Sequence, residues 1–254
     1  MRDRIIVANW KMEPARRSAV VALALGTVEA ANNLKRTAVV ICPPFVHIAE
    51  TARALERSAI LLGAQDVFWE SRGAHTGEVS PAMIAEYGAK YVIIGHSERR
   101  ALGENDEAVN LKTRTALSAG LRPILCIGES VRDEQGEYAS FVRAQLECAL
   151  VEVSKQKAGQ LIIAYEPIWA VGEKAVMAAH PAIVREMGIF IRRVLVDLFG
   201  RTTGEHIPIL YGGSVDAKNA ASYVNDARMN GLLVGRISLS MAKFKKVAQS
   251  VDTA

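Results

Sequence analysis

Eight short apolar runs, each followed by a segment of helical period, limit what this chain of 254 residues can fold into. The runs cover residues 5–8, 38–42, 60–64, 91–95, 123–127, 161–165, 207–211 and 231–235. Helical patterns follow at about 15–32, up to about 57, after Ser80-Pro81, at about 106–119, 138–154 and 181–198, after Asp216, and from about Ser240. The mean spacing is about 30 residues, the size of one strand–helix unit. Runs this short with little polar alternation are strands buried on both faces. Strict alternation implies a parallel sheet with helices outside it. Eight such units in a chain of this length predict an α/β fold, a closed (β/α)8 TIM barrel, with residues 1–254 as one domain. A doubly wound open sheet is the other solution. It usually carries a Gly-rich turn after its first strand, and here that turn reads Asn9-Trp10-Lys11.

In such a barrel the reacting groups gather at the C-terminal ends of the strands. Those ends carry Asn9 and Lys11; His96, Ser97, Glu98 and Arg99; Glu129; Glu166; Gly212, Gly213 and Ser214; and Gly235 and Arg236. Glu166 leaves an apolar run and is followed at once by Pro167, which holds it extended. Alone it reads as a solvated loop acid. In a desolvated pocket it reads as a general base. His96 alone is a structural histidine, Lys11 alone a surface charge, and Gly-Gly-Ser a turn. Their convergence on one rim makes those separate readings improbable together.

The chemistry of the set is coherent. Gly212-Gly213 lets backbone N–H groups approach an anion, and Ser214 leads to a helix N-terminus, so this end suits phosphate. A carboxylate, an imidazole and an ammonium remain for the reacting end. They suit proton abstraction beside a carbonyl, with His96 and Lys11 stabilising enediolate oxygens. His96 precedes a turn of helix, whose N-terminus favours the neutral, hydrogen-donating ring. No HExxH, Cys/His cluster, paired-Asp loop, P-loop or GxGxxG occurs, and the reading needs no metal or cofactor.

Composition narrows the setting. The net charge is +4, spread over isolated doublets, which disfavours nucleic acid and suits a small anion. The three cysteines, Cys42, Cys126 and Cys148, form no CxxC. Two of them end apolar runs, as buried thiols in a reducing compartment do. No signal-type segment or membrane span is present, so the expected location is the cytoplasm.

The motifs Asn9-Trp10-Lys11-Met12, Gly95-His96-Ser97-Glu98-Arg99-Arg100, Cys126-Ile127-Gly128-Glu129, Ala164-Tyr165-Glu166-Pro167-Ile168-Trp169-Ala170 and Tyr211-Gly212-Gly213-Ser214 resemble those of triosephosphate isomerases, in order along essentially the whole chain. The resemblance implies interconversion of dihydroxyacetone phosphate and glyceraldehyde 3-phosphate, a step of glycolysis and gluconeogenesis, without cofactor. It implies Glu166 as base, His96 as electrophile, Lys11 as the neutralising cation and Asn9 as an orienting group. Glu98, Arg99, Glu129 and Tyr211 would support them. Gly172, Ser214, Leu233, Gly235 and Arg236 would hold substrate and phosphate. It also implies a homodimer through a loop at 65–78. There Gln65, Thr76 and Glu78 belong to the interface, and Thr76 reaches Asn9 and Lys11 of the partner subunit. Residues 172–180 would form a lid hinged at Trp169-Ala170-Val171.

Two departures stand out. Arg236 occupies the place of the family's second glycine, and residues 173–180 replace a shorter lid. Outside this family, the motifs leave two further readings. One is another phosphosugar barrel, such as an aldose–ketose isomerase of amino-acid biosynthesis. The other is a non-catalytic barrel used for interaction, against which Glu166, His96 and Lys11 together speak.

Overall fold

Where the apolar runs fall, parallel strands form and close on themselves. The computed structural model describes residues 3–171 and 178–254. The strands are β1 (Arg4–Asn9), β2 (Thr37–Cys42), β3 (Leu61–Ala64), β4 (Tyr91–Ile94), β5 (Arg122–Ile127), β6 (Ile162–Tyr165), β7 (Ile209–Tyr211) and β8 (Gly231–Val234). They pair in sequence order and β8 returns to β1, closing the barrel. The helices are α1 (Arg17–Ala31), α2 (Ile48–Leu55), α3 (Pro81–Glu86), α4 (Ser97–Ala101), α5 (Asp106–Ser118), α6 (Glu137–Ala149), α7 (Lys155–Ala158), α8 (Pro181–Phe199), α9 (Arg201–Gly204), α10 (Ala220–Asn225) and α11 (Met241–Thr253).

Local chemistry sets the ends of these elements. Ser80 caps α3 by accepting the Met83 N–H, with Pro81 in the first helical position. Gly120, at φ +78°, ends α5: Leu121 N–H reaches Ala116 O and Gly120 N–H reaches Leu117 O. Strands β3, β6 and β7 begin one or two residues later than the apolar runs. Leu161 N–H still bonds back to Ala158 O, Ile60 N–H bonds Ser58 Oγ, and Pro208 has no N–H to offer β7. The helix expected at 138–154 stops at Ala149, and Ser154 caps the separate α7 by accepting Lys157 N–H.

The pleat sends alternate side chains to opposite faces. Along β1, Ile6, Ala8 and Trp10 turn to the helices, and Val7 turns into the barrel beside Val40, Ile124, Ile162 and Leu233. Continued upward, the inner parity runs from Val7 to Asn9, from Ala164 to Glu166, from Leu210 to Gly212 and from Leu233 to Gly235. The inner face of the barrel thus delivers the candidate residues to its C-terminal rim.

The opposite rim holds the seam. Ile5 pairs with Gly231, and a Cβ on Gly231 would lie 1.8 Å from Ile5 O. The end of α11 latches beneath it. Arg4 donates to Val251 O and Ala254 O. The Asp252 carboxylate accepts N–H bonds from Lys35 at 3.0 Å and from Arg36 and Thr37 at 2.8 Å. Burial works against that charge, but the donors outweigh it and hold the Asp252 carboxyl below its ordinary range. A depressed folded pKa gives stability that is present above the unfolded value and lost as pH falls through the folded one. Asp252→Asn is therefore expected to cost about 1–2 kcal/mol near neutrality. The difference from wild type should shrink below about pH 4. Urea titrations at pH 7 and pH 3 check this, and an equal difference at both pH values refutes it.

Candidate active site

The inward residues surround a cleft of about 120 Å³ lined by Asn9, Lys11, His96, Glu166, Gly212, Gly213, Ser214, Leu233, Gly235 and Arg236, among others. Glu166 is 2% exposed. Its backbone N–H bonds Ile127 O, and its Oε2 accepts the Ser97 N–H at 3.1 Å. Gly212 makes room for it, since a Cβ there would stand 2.7 Å from Glu166 Cγ.

His96 reaches the cleft by breaking the strand's alternation. Gly95, at φ +70°, turns the chain so that the next residue faces inward. Arg100 clamps this turn: its Nε donates to Gly95 O at 2.8 Å, and its Nη1 pairs with Asp106 at 2.6 Å. His96 caps α4, its Nδ1 accepting the Glu98 N–H at 3.1 Å. A nitrogen that accepts a hydrogen bond carries no proton, so the ring's proton lies on Nε2. That Nε2 stands 3.3 Å from Glu166 Oε1. A hydrogen donor and a carboxylate therefore share one small space.

Lys11 supplies the positive charge. Its Nζ lies 2.7 Å from Glu98 Oε1. Its stem passes Gly235 so closely that a Cβ there would sit 3.0 Å from Lys11 Cε. Asn9 is 5% exposed, and its Oδ1 accepts the Lys11 N–H at 2.9 Å. The hydrogens of its Nδ2 are then the ones available to a ligand. At the other end of the cleft, Ser214 N–H is held by Ala170 O at 3.1 Å. Leu233, Gly235 and the exposed Arg236 complete that wall.

The supporting residues divide. Glu98 touches both Lys11 and His96. Glu129, 1% exposed, accepts on one oxygen from Tyr165 Oη at 2.8 Å and Trp169 Nε1 at 2.9 Å, gripping both flanks of Glu166. Tyr211 Oη accepts the Ala179 N–H at 3.3 Å and its ring stacks on Tyr223. Arg99 does not reach the cleft. It pairs with Asp66 at 3.1 Å, which also binds the buried Lys112 at 2.8 Å. Thr76 and Glu78 are exposed in the single chain, whereas Gln65 turns inward to Lys11 O. Gly172, with the rest of 172–177 in the expected lid, lies outside the described residues. Sequence reasoning passed over Arg100 and Asp106 as well as Gln65's inward contact. The doubled arginine after Ser97-Glu98 was the only signal for the first pair. Among the described residues no cluster of His, Cys, Asp and Glu is placed to hold a metal ion, and no helix is long and apolar enough to cross a membrane.

A closed parallel eight-stranded barrel with a carboxylate, an imidazole donor and an ammonium at one rim defines the class: a (β/α)8-barrel enzyme built to move protons on a small anion. Comparison with known proteins sharpens this. The family model described as Triosephosphate isomerase matches residues 4–251. The triosephosphate isomerase of Caldanaerobacter subterraneus subsp. tengcongensis is 42% identical over 97% of this chain and 99% of its own. That of Acetivibrio thermocellus is 43% identical over 98% of each. The crystal structure of the Bartonella henselae triosephosphate isomerase superposes with a TM-score of 0.84 at 32% identity, covering 98% of both chains. The chain belongs to the triosephosphate isomerase family, and its activity is the isomerisation of triose phosphates.

Proposed function

We propose that Glu166 carries out the proton transfer between dihydroxyacetone phosphate and glyceraldehyde 3-phosphate. It takes a proton from the carbon beside the carbonyl and returns it to the former carbonyl carbon, while the hydroxyl proton passes from one oxygen to the other by way of His96 Nε2. To do so its carboxylate exchanges the Ser97 bond for the substrate. His96 Nε2–H and Asn9 Nδ2 donate to the oxygens that become negative in the enediolate, and Lys11 balances their charge. Ser214, the backbone at Leu233 and Gly235, and Arg236 hold the phosphate. The observation that carries this reading is the bond from Glu98 N–H to His96 Nδ1, because it puts the donating Nε2–H beside Glu166. Isomerisation in D2O tests it. The product should carry solvent deuterium at the carbon that receives the proton, and complete retention of the substrate's own hydrogen would refute it.

The working unit is a homodimer. Met12, Val46 and Leu102 are apolar and 91%, 78% and 80% exposed, more than an isolated barrel gains by showing to water. They follow β1, β2 and α4, on the rim that also carries the loop at 65–78. In the dimer Thr76 approaches Asn9 and Lys11 of the partner subunit. Deleting residues 68–73 should give monomers with little activity, and fully active monomers in light scattering would sink the idea. The three cysteines are free, which accords with a cytoplasmic setting.

A further inference from the structure

Lys11 adopts φ +53°, a left-handed conformation that residues with a side chain rarely take. Such a backbone persists only where its surroundings hold it. On one side its N–H is held by Asn9 Oδ1. On the other, Gln65 Nε2 donates one hydrogen to Lys11 O at 2.8 Å and the other to Cys42 O at 2.9 Å. Cys42 ends β2 and pairs with Asn9 at the end of β1. One primary amide therefore ties the turn after β1 to the tip of the neighbouring strand. Only the primary amides offer two N–H donors on one uncharged atom, and Asn is shorter than Gln by one methylene.

We propose that Gln65 is a positioning residue for the site's ammonium. It fixes the left-handed turn at Lys11, and that turn aims the Lys11 stem across Gly235 towards Glu98. Without it, Lys11 can return to an ordinary backbone conformation, and its long side chain leaves the cleft. The inference rests on the assignment of Lys11 as the site cation. It gives Gln65 a task inside its own chain, separate from any contact the loop at 65–78 makes with a second subunit.

The test is a double-mutant cycle read by calorimetric binding of 2-phosphoglycolate, whose carboxylate and phosphate span both ends of the cleft. Gln65→Met removes both donors at similar volume. Gln65→Glu keeps the shape but turns an acceptor towards two carbonyls. Each is expected to weaken binding by about tenfold or more. In a Lys11→Met background the same changes should alter the dissociation constant less than about twofold, since the cation they position is gone. Equal losses in both backgrounds mean a general structural role and overturn the proposal, as does unchanged binding in both single variants. If Lys11→Met alone leaves binding and kcat/KM untouched, it is the reading of Lys11 that fails. Light scattering at the assay concentration guards against a loss transmitted through dissociation. Weak binding that recovers as protein concentration rises counts against the proposal. Should Gln65→Glu fail to fold, Gln65→Met decides. Should both fail, the amide's role is structural and the proposal falls.

Discussion

Glu166→Gln is expected to lower kcat by about a thousandfold while changing KM by less than about threefold. Glutamine keeps the volume of the side chain, and its amide oxygen can still accept the Ser97 N–H that now meets Oε2 at 3.1 Å. Binding of the ground state is thus left nearly intact. What disappears is the ability to hold a proton during the reaction, an interaction made only in the transition state, so the loss falls on kcat. A thousandfold loss corresponds to about 4 kcal/mol of barrier. Glu166→Asp should lie between wild type and this variant. It keeps the charge but withdraws the carboxylate by one methylene from the position that Glu166's backbone and Gly212 define. Steady-state kinetics check both variants, and a Gln variant within about tenfold of wild type would remove Glu166 from the chemistry.

The second large effect comes from a residue without functional groups. Gly128 follows β5, and a Cβ there would lie 2.0 Å from Glu166 O and 2.5 Å from its carbonyl carbon. Those are backbone atoms, so no side-chain rotation relieves the clash. The site cannot shift on the far side either, because Gly128 N–H is bonded to the buried Gln145 at 2.9 Å. Gly128→Ala must therefore push the ends of β5 and β6 apart. The expected cost in stability is about 3 kcal/mol. A displacement of the base on the order of 1 Å should also lower kcat/KM by about a hundredfold. Urea denaturation and kinetics read the two effects separately. A variant with wild-type stability and rate would show that this close approach has no part in placing Glu166.

How far the sequence reveals such a site depends on whether a residue obeys a period. Asn9 and Glu166 prolong the inner parity of their strands, so the pattern that predicts the barrel also predicts where they point, whereas Lys11 lies two residues past β1 in a left-handed turn that no strand period announces. Nor does His96 keep the parity: Gly95's positive φ shifts it out of phase with Ile93, and only its neighbours in the motif marked it. Gln65 was legible as part of a long loop, but nothing in a string of letters says that its amide turns back 54 positions to Lys11. Arg100 escaped for a similar reason. Its hydrogen bond to Gly95 depends on how tightly a five-residue helix folds back on its own start. The four-residue helices α7 and α9 are shorter than two helical turns, too short to show a period at all.

The seam between β1 and β8 has a consequence for how the chain comes to be made. Within the barrel β1 waits for β8 before its outer edge is paired, since Ile5 meets Gly231 across all the intervening strands and helices. Until then the growing sheet offers two open edges of unpaired N–H and C=O groups, the template on which neighbouring chains add strands. Contacts so remote in sequence also form slowly. A nascent chain of this kind is most at risk of aggregation late in its synthesis, when nearly all its apolar surface is present and the ring is still open. The bare backbone of Gly231 lets the final strand dock flush against Ile5, and any side chain there would hold the ring ajar during that interval.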